Sequence, residues 1–283
     1  MGNKIQLAMK LFVPTDYSIP SKNAVIYAID LADDYGNGEV EVVHFVEKES
    51  EVSGAESTMK TFLAGVPTPK NIELRSRVLI GDFFDRIGNY AKENYFRMII
   101  MGTSGARGLQ KLIGSRAVRV IQRCQIPFIV VQKEMPRELT VERIAIPITL
   151  EVEDKKILNI VCAVAKPLEA QVLLMYEDSS DEFTGQTIAR NLNFAKSYLR
   201  NRGIEVQSVD VGHNMAFDEA VVTYAKAHEC DLIASINHHN DGILNLFGAG
   251  FDQNLLENSA HIPVMTINAK PMGDVRDIFM TTR

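Results

Sequence analysis

Cysteine is scarce: three residues, Cys124, Cys162 and Cys230, in a chain of 283. Their spacing fits neither a disulfide framework nor a zinc site, so three reduced, structural thiols are expected. Long apolar runs are missing as well. None approaches the roughly 20 residues needed to span a bilayer. The opening Met-Gly-Asn-Lys-Ile-Gln has neither a secretory apolar core nor the Ser/Thr of a myristoylation signal. A cytoplasmic protein with no membrane partner is therefore expected. The common catalytic templates are absent too: no Gly-x4-Gly-Lys-Ser/Thr loop, no Gly-x-Ser-x-Gly elbow, no His-Glu-x-x-His and no Gly-x-Gly-x-x-Gly after the first strand. The sequence names no catalytic residue and no metal ligand set. His238-His239 are adjacent on a loop and have no further ligands to join them. Asp82, Asp85, Asp218 and Glu219 read as helix-start carboxylates rather than general bases.

What is present is ordinary globular material, 46% hydrophobic and 23% charged, enough to bury a core and to hold about two domains. The net charge of −6 is divided unevenly. Residues 1–138 carry 18 Lys/Arg against 16 Asp/Glu, and residues 139–283 carry 12 against 20. Seven basic residues and no acidic one fall between Asn94 and Lys133, a local field suited to an anion. The acidic second half excludes the broad basic footprint that nucleic-acid binding requires.

The halves repeat with a period of about 133 residues, which suits a duplicated domain. Leu11-Phe12-Val13-Pro14 is echoed by Ile144-Ala145-Ile146-Pro147. Residues 42–47 answer to 172–177, 78–81 to 210–212, 98–101 to 232–235 and 126–131 to 262–267. These five segments per half are short, continuous and apolar, the pattern of parallel strands covered on both faces. Helical periodicity fills residues 22–35, 82–94 and 115–124, then 155–165, 186–202, 217–228 and 252–259. Residues 51–70 read mostly as loop, with a short helix at 58–63. Pro136 marks a polar linker between domains at 1–138 and 139–283. The expected fold is α/β: two doubly wound, five-stranded parallel-sheet domains in tandem.

In such sheets ligands bind beyond the carboxyl ends of the strands where strand order reverses. That nominates the loop Pro14-Thr15-Asp16-Tyr17-Ser18 after the first strand and residues 102–115 after the fourth. The second loop holds four glycines before Ser115 and can bring backbone N–H groups to a phosphate at the start of the next helix.

At these residues the sequence resembles the universal stress protein family, over nearly the whole chain as two tandem copies. Family members that bind ATP carry Met-Gly at the end of a strand, two residues, Gly, nine residues and Gly-Ser/Thr. Here Met101-Gly102, Gly105 and Gly114-Ser115 correspond, with eight residues rather than nine between Gly105 and Gly114. The resemblance implies a Rossmann-like fold related to the adenine-nucleotide alpha-hydrolases. It implies that Pro14, Thr15 and Asp16 face the nucleoside and that the backbone near Phe45 reads the adenine edge. Met101, Gly102, Gly105, Arg107, Gly114, Ser115 and Arg116 would hold ribose and phosphates. ATP, ADP and AMP stay open as the nucleotide, with magnesium only beside a triphosphate.

In the second copy Thr149 replaces the acid, Ile236 replaces the first glycine and Asp241 stands where Arg107 does, so no nucleotide is expected there. Ile236 is expected to block the approach of a ligand. Sensing or regulation with little or no hydrolysis is the leading reading. An ATP-hydrolysing enzyme using Asp16, or an interaction scaffold without nucleotide, are the alternatives. The final strands each follow an Ile-Pro and leave apolar edges. Single-domain members of the resembled family dimerise through this strand, and the resemblance implies that the two pair antiparallel in an intramolecular pseudo-dimer, any further homodimer using another surface and any protein partner remaining unnamed.

Overall fold

A computed structural model describes residues 8–103, 124, 126–133, 140–150, 155–237, 255–256 and 258–268. Its strands are β1 (Met9–Pro14), β2 (Gly38–Val46), β3 (Ile72–Ile80), β4 (Met98–Thr103) and β5 (Phe128–Gln132), then β6 (Arg143–Pro147), β7 (Gln171–Tyr176), β8 (Val206–Asp210), β9 (Leu232–Asn237) and β10 (Val264–Asn268). The described helices are α1 (Ile19–Asp34), α2 (Glu49–Leu63), α3 (Phe83–Glu93), α4 (Lys155–Leu168), α5 (Glu182–Arg200) and α6 (Phe217–Ala227). The helix expected at 115–124 and the linker around Pro136 lie outside the described residues. So does most of the helix expected at 252–259, of which Leu255 and Leu256 are helical.

All ten strands form one sheet in the order β3-β2-β1-β4-β5-β10-β9-β6-β7-β8. Within each half the pairs are parallel and the order is the same, read outward from the centre as fifth, fourth, first, second, third strand. The halves meet at an antiparallel pair, Val264 opposite Val130, Met265 opposite Ile129 and Thr266 opposite Phe128. Residues 128–131 of β5 are buried there, which removes from water the apolar edge that the Ile-Pro strands were expected to leave. Across the same seam the buried Gln132 amide donates to the Asn258 carbonyl at 3.0 Å. The Tyr35 hydroxyl donates to the Ala163 carbonyl.

Two apolar cores flank the sheet, and each contains residues of both halves. One lies under α1, α2, α4 and α5, the other under α3 and α6, with Phe12, Tyr90 and Phe96 clustered in it. The inner strands are apolar on both faces for this reason. The edge strands β3 and β8 are not. Glu73, Arg75, Ser76 and Arg77 of β3 are exposed. Arg77 reaches back to Glu41, which is 1% exposed and also accepts from the Tyr90 hydroxyl. Their mixed composition explains why the third strand of each half lies earlier than expected, at Ile72–Ile80 rather than 78–81 and at Val206–Asp210 rather than 210–212.

The expected loop at 51–70 is corrected: residues Glu49–Leu63 form a helix. Its apolar stripe is narrow, Val52, Ala55, Met59, Phe62 and Leu63, and of these Met59 alone is fully buried. A cap supplies the rest. The Glu51 carboxylate accepts the N–H groups of Glu47 at 3.0 Å and Lys48 at 3.1 Å, satisfying donors that the first turn leaves without partners. Gly65, at φ +74°, ends the element before Pro67 and Pro69.

Candidate functional site

Strand order reverses between β1 and β4, where β1 has β2 on one side and β4 on the other. The residues beyond the carboxyl ends of these three strands form the site. Helix α1 starts directly behind it, its first turn set by Pro20 and by the Ser18 hydroxyl, which accepts from the Ser21 N–H at 3.3 Å.

Pro14 is buried at the end of β1, and Thr15 follows with 8% exposure, its N–H donating to the Val43 carbonyl at 2.9 Å. The Thr15 and Ser21 hydroxyls bond at 2.9 Å, and Thr15 Oγ1 accepts the Tyr17 N–H at 3.0 Å. Asp16 opens to solvent and accepts the Ser18 N–H at 3.0 Å. Partial burial alone pushes the Asp16 carboxyl up. Hydrogen bonds from the Ser18 hydroxyl and N–H, and from Ser21, outweigh it and hold the group below the usual carboxylate value. The result is a fixed negative charge at the mouth of the site.

Tyr17 holds this loop in shape. It has φ +65°, unusual for a side chain of its size. Its ring packs on His44 with centroids 4.3 Å apart and meets the Phe62 ring edge-on at 5.5 Å, while its hydroxyl donates to the Ala55 carbonyl at 2.9 Å. Burial pushes that hydroxyl up to about 12. His44 in turn contacts the Thr15 carbonyl through Nδ1 at 2.8 Å. From the sequence Tyr17 is nominated as a member of the loop at 14–18 without a role of its own, and His44 is not nominated. The signal that could have found them is Phe62 at the end of the apolar stripe of α2, the ring that meets Tyr17.

Phe45 stands near the end of β2, half-buried and edge-on to Phe83 at 5.7 Å. The β1–β2 pairing stops at Pro14 opposite Val43, whereas β2 continues to Val46. The β1-side backbone edge of residues 44–46 therefore extends past its last partner and faces the site. On its other side β2 stays paired with β3 to Val46 opposite Ile80, and the Gly81 N–H adds a bond to the Val46 carbonyl at 2.8 Å.

Met101 and Gly102 complete the described part, at the end of β4. An added Cβ at Gly102 would lie 2.0 Å from the Pro20 carbonyl oxygen and 2.6 Å from the Ser21 nitrogen. Gly102 is bare because the first turn of α1 rests on it, which corrects the expectation that its missing side chain serves ligand approach. Gly105, Arg107, Gly114, Ser115 and Arg116 lie outside the described residues.

In the second half Thr149 follows β6, and its carbonyl accepts the Asn191 amide at 2.9 Å. Ile236 is 1% exposed and packs in the core beneath the sheet face that α1 and α4 share. Its side chain fills the interior, so the expectation that it crowds a ligand is corrected too. His238, His239 and Asp241 lie outside the described residues. Among the described residues no group of three or more His, Cys, Asp or Glu is placed to hold a metal ion, and no helix is long and apolar enough to cross a membrane. None of the three cysteines is in a disulfide, and burial pushes the thiols of Cys124 and Cys162 up to about 11 and that of Cys230 up to about 12. Asp82 caps α3, its carboxylate accepting the Asp85 N–H at 3.2 Å.

The profile of the universal stress protein family matches residues 8–132. A universal stress protein of Methanocaldococcus jannaschii is 30% identical over 148 residues, covering 46% of this chain and 86% of the relative. Among solved structures, a universal stress protein from Archaeoglobus fulgidus superposes with a TM-score of 0.68 at 14% identity, over 92% of this chain and 96% of that one. A protein described as a universal stress protein from Pseudomonas aeruginosa gives a TM-score of 0.57 at 10% identity, over 93% and 94%. These structural likenesses speak for the fold, which extends over both halves.

Proposed function

The chain belongs to the universal stress protein family, and from that premise we propose that residues 1–138 form a domain binding one adenine nucleotide while residues 139–283 form a degenerate copy serving as its built-in dimer partner. The observation that carries the proposal is the pairing of two groups at the switch point. Asp16 is held as an anion, and the unpartnered backbone edge of β2 near Phe45 lies on the same side of the sheet. An ionised carboxylate accepts hydrogen bonds from nucleoside hydroxyls, and a bare strand edge offers the donor and acceptor that an adenine edge needs. Thr15 and Pro14 fix the loop, and Met101 and Gly102 bound the cleft beside α1. Gly105, Gly114, Ser115 and Arg116 carry the phosphates in this reading, with Arg107 adding to the basic field between Asn94 and Lys133.

The activity is sensing or regulation in the cytoplasm, with little or no hydrolysis. A general base works best with a pKa near the operating pH, and Asp16 is both lowered and occupied by hydrogen bonds. Magnesium enters only with a triphosphate, coordinated mainly by the phosphates themselves. Mass spectrometry of small molecules released from protein purified without added nucleotide tests the reading. An adenine nucleotide near one per chain supports it. Empty protein that also fails to take up ATP, ADP or AMP on addition overturns it.

A further inference from the structure

We infer that the second half carries a ligand site of its own, a mostly apolar cavity for a small organic ammonium ion, in chemical contrast to the anion site of the first half. A cavity of about 350 Å³ opens beyond the carboxyl ends of β6, β7 and β8, within the size range of small-molecule pockets. Its apolar lining comes from Ile148 after β6, Ile188 of α5 and Phe217 of α6. Its polar lining includes Thr149, Ser179, Thr184 and, as the charged group, Glu177; His213 completes the rim, and no Lys or Arg is present among the described lining residues.

Charge and hydrogen-bonding capacity both select the occupant. Glu177 is partly buried, and the Nδ1 of His213 lies 3.8 Å from its carboxylate. His213 is otherwise held by the Asp178 carbonyl through Nε2. Behind the wall at Thr149, the buried Asn191 donates its amide to the Thr149 carbonyl, but its own Oδ1 has no hydrogen-bond partner. The polar lining itself is the Glu177 carboxylate, an acceptor, with the hydroxyls of Thr149, Ser179 and Thr184, which can accept as well as donate. A phosphate or carboxylate ligand would meet Glu177 with no Lys or Arg beside it among the described lining residues, whereas an ammonium group brings donors and the opposite charge.

Leu150 of the lining is 48% exposed, and Phe183, next in the chain to the lining residue Thr184, is 79% exposed. Exposed apolar side chains at and beside the lining suit the apolar body of the ligand. The equivalent loop of the first half differs in kind: its Asp16 is tied into the turn, and Tyr17 is packed under α2.

Titration of the full-length protein with tryptamine, an aromatic ammonium ion, tests the inference, with indole-3-acetate as a control of similar body and opposite charge. Calorimetry should show tryptamine at one site per chain, no binding of indole-3-acetate and no displacement by ATP. Glu177→Gln should weaken tryptamine about tenfold or more while melting as the parent does. Nuclear Overhauser contacts from the tryptamine ring to the Ile148 and Ile188 methyl groups should appear on the parent protein, a readout that does not depend on the variant. Absent tryptamine binding, equal binding of indole-3-acetate, displacement by ATP, an unaffected Glu177→Gln variant or absent Ile148 and Ile188 contacts would each overturn it.

Discussion

Gly102 of β4 and Ile236 of β9 occupy equivalent places in the two halves and face the same core, yet one has no side chain and the other fills the interior. The first half brings the backbone of α1 against its fourth strand and so places Ser18, Ser21 and the Asp16 turn beside the strand end. The second half inserts an isoleucine at that point and has Thr149 in place of the carboxylate. A duplicated fold can therefore keep its sheet order and its seam while one copy exchanges a close helix contact for apolar packing. The lost glycine matters through the helix that it positions.

The largest effect should come from the element the halves share. Ile129 is fully buried opposite Met265, so Ile129→Lys places an uncompensated charge in the seam and should cost on the order of 4 kcal/mol in chemical denaturation. An unchanged midpoint would separate the halves energetically. Next, Gly102→Val should destabilise by about 3 kcal/mol, because the added side chain meets backbone rather than a flexible group, and should weaken nucleotide binding as α1 is displaced. Ile236→Ala should cost a similar ~2–4 kcal/mol through a cavity, with nucleotide binding unaltered. If Gly102→Val keeps full stability, the contact with Pro20 is not what distinguishes the copies.

A smaller effect is expected at Asp16. Its carboxyl is lowered in the folded protein, so its stabilising contribution is present above the ordinary value of 3.8 and disappears as pH falls through the lower folded value. Asp16→Asn should flatten that acid limb of the stability curve and weaken adenine nucleotide about tenfold, a loss typical of a charged hydrogen bond. Calorimetry at neutral pH and melting curves taken down to pH 3 check both. The smallest effect belongs to Tyr17→Phe, which removes the bond to the Ala55 carbonyl and should cost about 1 kcal/mol, with faster amide exchange confined to α2.

The inner strands were legible in the sequence because burial on both faces leaves unbroken apolar runs such as Leu11-Phe12-Val13 and Met98-Ile99-Ile100. The antiparallel junction was legible from two Ile-Pro strands with apolar, uncharged edges together with the family resemblance, whose single-domain members pair through this strand. The edge strands were harder to read, since Arg75 and Arg77 are compatible with a solvated strand and with a loop alike. Helix α2 was missed because its apolar stripe is narrow, Gly65, Pro67 and Pro69 follow it closely and its cap depends on Glu51 turning back to Glu47 and Lys48. At the site, residue types were legible and reasons were not. The glycine at position 102 was visible, but its contact is with Pro20, some eighty positions away in the chain, which only the packing of α1 reveals. The positive φ of Tyr17 likewise depends on the aromatic groups of β2 and α2 that surround it.

The central claim, one nucleotide site in a chain of two similar halves, is tested most directly by calorimetric titration of the full-length protein with ATP, ADP and AMP in turn. The account predicts a single site per chain, of micromolar affinity for at least one of the three. Two equivalent sites per chain, or none for any of the nucleotides, would contradict it.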